Sequence, residues 1–356
     1  MSLSPRLSFF TSQFFLVPLL LLTFTLVTTA QTPKPSPTPV PKSTPDAPEI
    51  DPDDVISVNT SEVLLPVTVR DSSGKLVDGL TKDDFRIFED GTQQALSDIS
   101  LRQVPVDVVL MVDASSSAAQ NLDDFSRAAE GFASHLATGD RISLIQFDDR
   151  VLLLQDWTRS LVQLKRALRR ISPGTFTRFH DAVVLASRDQ KPRASARHAI
   201  IVLTDGIDNG GGSSFDVALK GALQSQTAVY VISNTAIERA NKERELATLL
   251  AGSDSAVKFN QLRIQDLQMG LETLVLSERN LQRLTDTTGG RLYKPSSFQD
   301  LESVYTEVAN ELRHQYGLYY SPLNKKRDGQ FRRVRVESIN SALTVSARVG
   351  YYAPTR

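Results

Sequence analysis

An apolar run ends on an acid and then on three hydroxyls: "VVLMVDASSS" places Asp113 at the end of the run and Ser115, Ser116 and Ser117 just beyond it. Three chemistries use such a cluster. A serine in a turn satisfies backbone N–H groups, a serine nucleophile needs a base within reach, and a set of neutral and anionic oxygens holds a hard cation. A second acid, Asp205, ends the run "HAIIVLTDG" in the same way, and the loop "PGTFTRFH" between them offers Thr175 and Thr177. Two carboxylates, two or three serines and a threonine then converge without histidine or sulfur. Hard oxygen donors of low total charge suit Mg²⁺ or Mn²⁺, which keep waters in a near-octahedral shell. With only two acids, the cation stays electron-poor toward an incoming carboxylate. The chain has no cysteine and 4 histidines, which excludes disulfides, thiolate zinc sites and cysteine nucleophiles together.

Convergence needs a frame, and the pattern around these residues supplies one. "VDVVLMV", "ISLIQF", "HAIIVLT" and "VYVIS" are short continuous apolar runs, as expected of strands buried on both faces of a parallel sheet. Between them Leu122, Phe125, Ala129, Phe132 and Leu136 recur at helical spacing, and so do Leu161, Leu164, Leu168 and Ile171. "SFQD" from Ser297 opens a further helix bearing Leu301, Val304, Val308 and Leu312. This is an α/β pattern with a doubly wound, mostly parallel sheet over residues 105–316. In such a sheet ligands sit beyond the carboxyl ends of the strands, where Asp113 and Asp205 both fall. A charged, helix-periodic stretch at about 236–279 is too long for an ordinary connection and reads as a helical insertion.

Both flanks read as strands. Residues 54–104 alternate Val63, Leu65, Val67 and Val69 on one face, with turns at Ser73-Gly74 and Asp90-Gly91 and a single helical turn capped by Thr81 with Asp84. Residues 317–356 return to strands in "QFRRVRVESI" and "LTVSARVGYY". Neither flank builds a comfortable core alone, so the two are expected to pair into one small all-β domain with the α/β domain inserted between them. Residues 1–30 carry one charge, Arg6, before the apolar stretch Phe14 to Val27 and a "TTA" cut site, the layout of a secretory signal. Membrane anchoring follows only if that segment stays uncleaved. Residues 31–53, with proline at nearly every second position, read as an extended linker. The expected location is therefore secreted, periplasmic or at the cell surface. A net charge of -1 gives no global field for nucleic acid.

With these residues in place the sequence resembles the von Willebrand factor type A family over roughly residues 105–315. The family's metal-ion-dependent adhesion site is written D-x-S-x-S, then a threonine, then an aspartate. Asp113, Ser115 and Ser117 match the first element, "TFTRFHDA" makes Thr177 the threonine, and "TDG" supplies Asp205. "LTKDDFRIFEDG" and the closing "RVGYYAP" resemble a secreted bacterial subgroup with flanking β segments. The resemblance implies that Asp113, Ser115, Ser117 and Thr177 lie close to Mg²⁺ or Mn²⁺, with Asp205 acting through a water. It implies an adhesion-type module in which an Asp or Glu of a protein partner completes the metal shell. The alternative is a structural assembly protein of the envelope or surface whose metal only stabilises loops. Two departures stand out: Phe176 occupies a position where the family usually has glycine, and the insertion after Asn234 is expected either to cover or to extend the binding rim.

Other candidates carry blander readings. Asp208 and Asn209 suit a turn or cap, Asp181 the N-terminus of its helix, and His180 a packed or exposed side chain. The glycines of "DNGGGSSF" lack nucleotide-motif spacing and read as a flexible rim loop. The basic residues of "KKRDGQFRRVRV" fit a charged hairpin edge. No G-x-S-x-G elbow is present and no histidine partners Ser115 to Ser117, so a non-enzymatic role is expected.

Overall fold

A computed structural model describes residues 62–100, 104–116, 121–188, 193 and 196–355. The expected secretory signal, the linker and Ser117 lie outside the described residues. The described residues open with β1 (Val63–Arg70), β2 (Phe85–Glu89), β3 (Thr92–Gln94) and β4 (Leu96–Ser100). The α/β part follows: β5 (Val106–Asp113), α1 (Leu122–Ser134), β6 (Arg141–Phe147), β7 (Val151–Thr158), α2 (Leu161–Leu168), α3 (Phe179–Arg188), β8 (Arg197–Thr204), α4 (Phe215–Gln224) and β9 (Ala228–Ser233). Then come α5 (Thr235–Leu250), α6 (Asp254–Phe259), α7 (Gln261–Thr288), β10 (Leu292–Tyr293) and α8 (Leu301–Arg313). The closing strands are β11 (Tyr316–Tyr320), β12 (Phe331–Ser338), β13 (Thr344–Ser346) and β14 (Gly350–Tyr352). Capping boxes at Thr81/Asp84 and Ser297/Asp300 open the two short 3₁₀ turns that precede β2 and α8.

The central sheet has the order β10-β9-β8-β5-β6-β7, parallel throughout except for the edge strand β7. Period-two alternation along β5 divides its side chains between two cores. Val106, Val108, Leu110 and Val112 pack toward α1, α2 and α8, while Val109 and Met111 pack toward α3, α4 and α7. Every residue of β5 is buried, the reason for the unbroken apolar run in the sequence. The chain steps from β5 to β6 on one side and returns to β8 on the other. The strand order therefore reverses between β5 and β8, and a crevice opens at their carboxyl ends.

Two antiparallel sheets, β13-β1-β11-β4 and β14-β12-β2-β3, each combine strands from both ends of the described chain. Val67, Ile87, Leu318, Val334 and Tyr351 belong to the core shared between them. Their junction with α8 is polar and satisfied: buried Glu311 accepts from Tyr293 Oη at 2.9 Å and from the Arg70 guanidinium, and Gln315 donates to Tyr230 Oη at 2.8 Å.

The helical stretch differs from its expected bounds. No boundary falls near residue 279, because α7 runs 28 residues without a break, about 42 Å at 1.5 Å per residue. Its second half is sheet-packing helix, with Leu281 and Leu284 in the core beneath β9, and its first half is the arm of a hairpin with α5. The helical period continues across the junction, so nothing in the sequence marks where one role ends. Among the described residues no helix is long and apolar enough to cross a membrane.

At the opposite end of the sheet from the crevice, fully buried Asp107 is paired with Arg141 and Arg193, each at 2.6 Å. These guanidinium hydrogen bonds outweigh the burial that opposes them and bring the carboxyl down to about 2. A depressed acid stabilises the fold above its unfolded pKa and loses that contribution as pH falls through the folded value. Asp107→Asn is expected to cost about 2 kcal/mol at pH 7 and to flatten the acid limb between about pH 4 and 2. Urea denaturation at pH 7, 4 and 2.5 checks this; a variant that keeps the parental pH dependence refutes the assignment.

Candidate metal centre

Asp113 is the last residue of β5 and Thr204 the last of β8, so the neighbouring parallel strands deliver both to the crevice. Thr204 Oγ1 donates to Asp113 Oδ2 at 2.7 Å and accepts from the Gly206 N–H at 2.9 Å. The Ser115 N–H donates to the other oxygen, Oδ1, at 3.0 Å. Asp113 is thus oriented from both sides. Ser115, Thr177 and Asp205 line one cleft of about 220 Å³, together with Ser116, Thr175 and Asn209.

The threonine loop is tied to both neighbours. The Gly174 N–H donates to the Ala114 carbonyl at 2.8 Å, joining it to the serine loop, and a Cβ on Gly174 would stand 2.5 Å from that of Asp148. Asp149 accepts the N–H groups of Thr175 and Phe176 at 3.1 and 2.8 Å. Asn209 Oδ1 accepts the Thr177 N–H at 2.8 Å, while the Thr177 carbonyl accepts from Asn209 and Gly210. Phe176 is 54% exposed, its side chain turned outward beside Gly210.

Asp205 is fixed from the helical side. Its Oδ1 accepts the Ile207 N–H at 3.0 Å, and its carbonyl accepts from Ser277 Oγ of α7. Gly206 has φ +71° with Leu281 packed against it, so a side chain there would be strained by backbone and neighbour alike. The hairpin base is clamped too: Glu278 takes Arg239 at 2.7 Å and Lys294 at 3.0 Å. Through this hairpin Glu238, Lys242 and Leu274 join the lining of the cleft.

The electrostatics of the site are unbalanced. Asp113 and Asp205 are 3% and 8% exposed, and among the described residues neither forms an ion pair. Burial, then repulsion by Asp113, pushes Asp205 up to about 7, and burial likewise raises Asp113. Two buried carboxylates that repel one another lack the countercharge that buried charge requires. A divalent cation flanked by Asp113 and Asp205, with the Ser115 and Thr177 hydroxyls as neutral oxygens, fits this donor set. Among the described residues no group of three or more His, Cys, Asp or Glu is placed to hold a metal ion, so the donor set here rests on two acids and neutral oxygens.

Two expectations at the rim change. Asp181 does not serve only its own helix: its carboxylate accepts the Gly212 and Ser213 N–H groups at 3.0 and 2.9 Å. With Asp208 accepting the Gly211 N–H at 2.8 Å, the glycine loop is pinned rather than free. Asp208 also accepts the His180 N–H at 2.8 Å, and the imidazole packs edge-on to Phe215. Sequence reasoning did not reach Thr204, Asp149, Ser277, Glu238 or Lys242. Thr204 was within reach, beside Asp205 at a strand end; the others depend on which loops the fold brings together.

Asp149→Ala removes the acceptor for two loop amides. Amide exchange at Thr175 and Phe176 is expected to rise about tenfold, the equivalent of one charged hydrogen bond. Exchange measured by mass spectrometry or NMR tests it, and unchanged protection would mean that the Gly174–Ala114 bond holds the loop without Asp149.

Solved structures that match the chain include BatB from Bacteroides thetaiotaomicron, at 25% identity and a TM-score of 0.32, over 36% of this chain and 66% of that one. An aerotolerance-related membrane protein from Bacteroides fragilis matches at 19% identity and a TM-score of 0.41, over 58% and 98%. Proximal thread matrix protein 1 from the mussel byssus, with a zinc-occupied MIDAS motif, matches at 16% and 0.43, over 62% and 48%. The chain spans just under two thirds of the first of these and about half of the third. No curated protein sequence matches it. Residues 108–207, from β5 through β8 to the turn after Asp205, match the family model of the von Willebrand factor type A domain, and the chain contains a domain of that family.

Proposed function

We propose that this domain binds a protein partner through Mg²⁺ or Mn²⁺ held by Asp113, Ser115, Ser117 and Thr177, with Asp205 acting through a water. The observation that carries the reading is the buried Asp205 carboxylate, repelled by the buried Asp113 and sharing one open cleft with Ser115 and Thr177. The cation supplies a positive centre with a free coordination position. The chain's own groups orient it: Thr204 and the Ser115 amide fix Asp113, Asn209 fixes the Thr177 backbone, and Ser277 and Gly206 fix Asp205. An Asp or Glu side chain from the partner fills the free position, and the rim built by Phe176, the glycine loop and the hairpin selects among partners. Among the described residues no histidine lines the cleft to serve as a base for Ser115 or Thr177, which favours binding over catalysis. The N-terminal signal pattern supports action outside the cytoplasm.

Calorimetric titration of Mg²⁺ and Mn²⁺ into the full chain tests the reading. Saturable binding is expected in the parent and none in Asp113→Ala. The variant's thermal midpoint should stay within a few degrees, because the substitution removes a destabilising buried charge along with two hydrogen bonds. A folded Asp113→Ala protein that binds metal like the parent would sink the proposal, and so would a parent that binds none.

A further inference from the structure

The basic run from Lys325 to Arg335 reads from the sequence as a charged hairpin edge, and the fold takes that reason away. β12 lies between β14 and β2, so its charges guard no open edge. Alternation along the strand divides them. Arg332 faces inward at 6% exposure, paired with Asp328 at 2.9 Å, and serves the structure. Arg333 and Arg335 stand on the outer face with Phe331, and both are exposed. Among the described residues the side chains of Lys325, Lys326, Arg327 and Arg333 make no hydrogen bond and no ion pair.

The outer face interleaves cations with rings. Arg335 stands opposite Phe88 of β2, and its guanidinium stacks on that ring, 4.6 Å from the centroid. Phe331 stands opposite Tyr352 of β14, the two rings edge-on at 5.2 Å, and Lys220 of α4 reaches over Tyr352 at 5.8 Å. Phe88, Phe331 and Tyr352 are half-buried, so they form a floor rather than a protrusion. Phe88, Phe331, Arg333 and Arg335 line one groove of about 1020 Å³. Tyr352 borders a second, smaller cleft with Lys325, Lys326 and Arg327. The acids on this face already have uses. Asp90 accepts the Arg333 N–H at 2.9 Å, Glu337 pairs with Arg335, and Glu62 in the second cleft accepts from Ser97 Oγ at 2.6 Å. The cations outnumber them.

We propose that this face binds an acidic polysaccharide. Lys220, Arg333 and Arg335 pair with its carboxylate or sulfate groups, Lys325 to Arg327 extend the path into the adjoining cleft, and the rings of Phe331 and Tyr352 pack against its sugar faces. The shape of the face selects this occupant. A bilayer is flat, and a groove whose rings lie beneath its cations offers it nothing to insert. An extended peptide would lay its backbone N–H and C=O groups on a sheet face with no strand edge to pair them. A sugar chain carries no such backbone requirement. Stacking on Phe88 holds Arg335 extended before a ligand arrives, which lowers the ordering cost of binding. None of these residues lines the metal cleft.

The test is calorimetric titration of the full chain with oligogalacturonate and a heparin oligosaccharide, beside dextran, poly-glutamate and single-stranded DNA. Saturable binding of an acidic sugar is expected at about 50 mM salt, tighter than that of the other three polymers and severalfold weaker at about 300 mM. The Arg333→Gln/Arg335→Gln protein should lose about ten- to a hundredfold in affinity, as solvent-screened charged contacts would. Phe88→Leu keeps the apolar volume, removes the ring beneath Arg335, and should lose about two- to fivefold. Failure to bind either acidic sugar, or parental affinity in a folded double variant, would overturn the proposal. Tighter binding of DNA or poly-glutamate would overturn the choice of occupant, and dextran bound as well as the acidic sugars would overturn the role of the cations.

Discussion

Two like charges held out of water at the carboxyl ends of β5 and β8 set the conditions for the rest of the site. Asp113 and Asp205 are buried because the strands that deliver them are buried on both faces, and the reversal of strand order opens a crevice at those strand ends. Desolvation and mutual repulsion both act against ionisation. The fold tolerates this by giving each carboxylate hydrogen-bond donors: Thr204 and Ser115 for Asp113, and Ile207 for Asp205. Donors orient a carboxylate, but they do not cancel its charge in a medium of low polarity. The remaining imbalance is one that a bound cation would offset.

Much of the surrounding structure then serves position rather than charge. Gly174 lets the threonine loop press against Asp148, Asp149 takes two of its amides, and Asn209 takes a third. Asp181 and Asp208 pin the glycine loop that borders it. These acids fix backbone N–H groups of the rim loops.

The strand-and-helix frame was legible because burial writes itself into the sequence. Continuous apolar runs identify strands covered on both faces, and spacings of three and four identify the helices that cover them. Asp113, Ser115, Thr177 and Asp205 were legible because each stands where such an element begins or ends. Asp149 and Ser277 were not: one acts across a loop junction and the other from a helix 72 residues further along the chain. No local pattern encodes such contacts, which exist only once the loops are placed. The reach of α7 was obscured for the opposite reason. A single helical period runs from a protruding arm into the sheet-packing half, so local spacing shows no boundary where the environment changes.

The hairpin turns that continuity to use. A 28-residue helix anchored by Leu281 and Leu284 beneath the sheet is a rigid lever, and α5 is clamped to it through Glu278. Any residue on the inner face of α5 is therefore placed as firmly as a residue of the sheet itself. A flexible loop over the crevice could carry an acid near Asp205 only part of the time, because ordering it would cost conformational entropy for each residue fixed. Glu238 avoids that cost, since packing of the hairpin has already fixed its backbone.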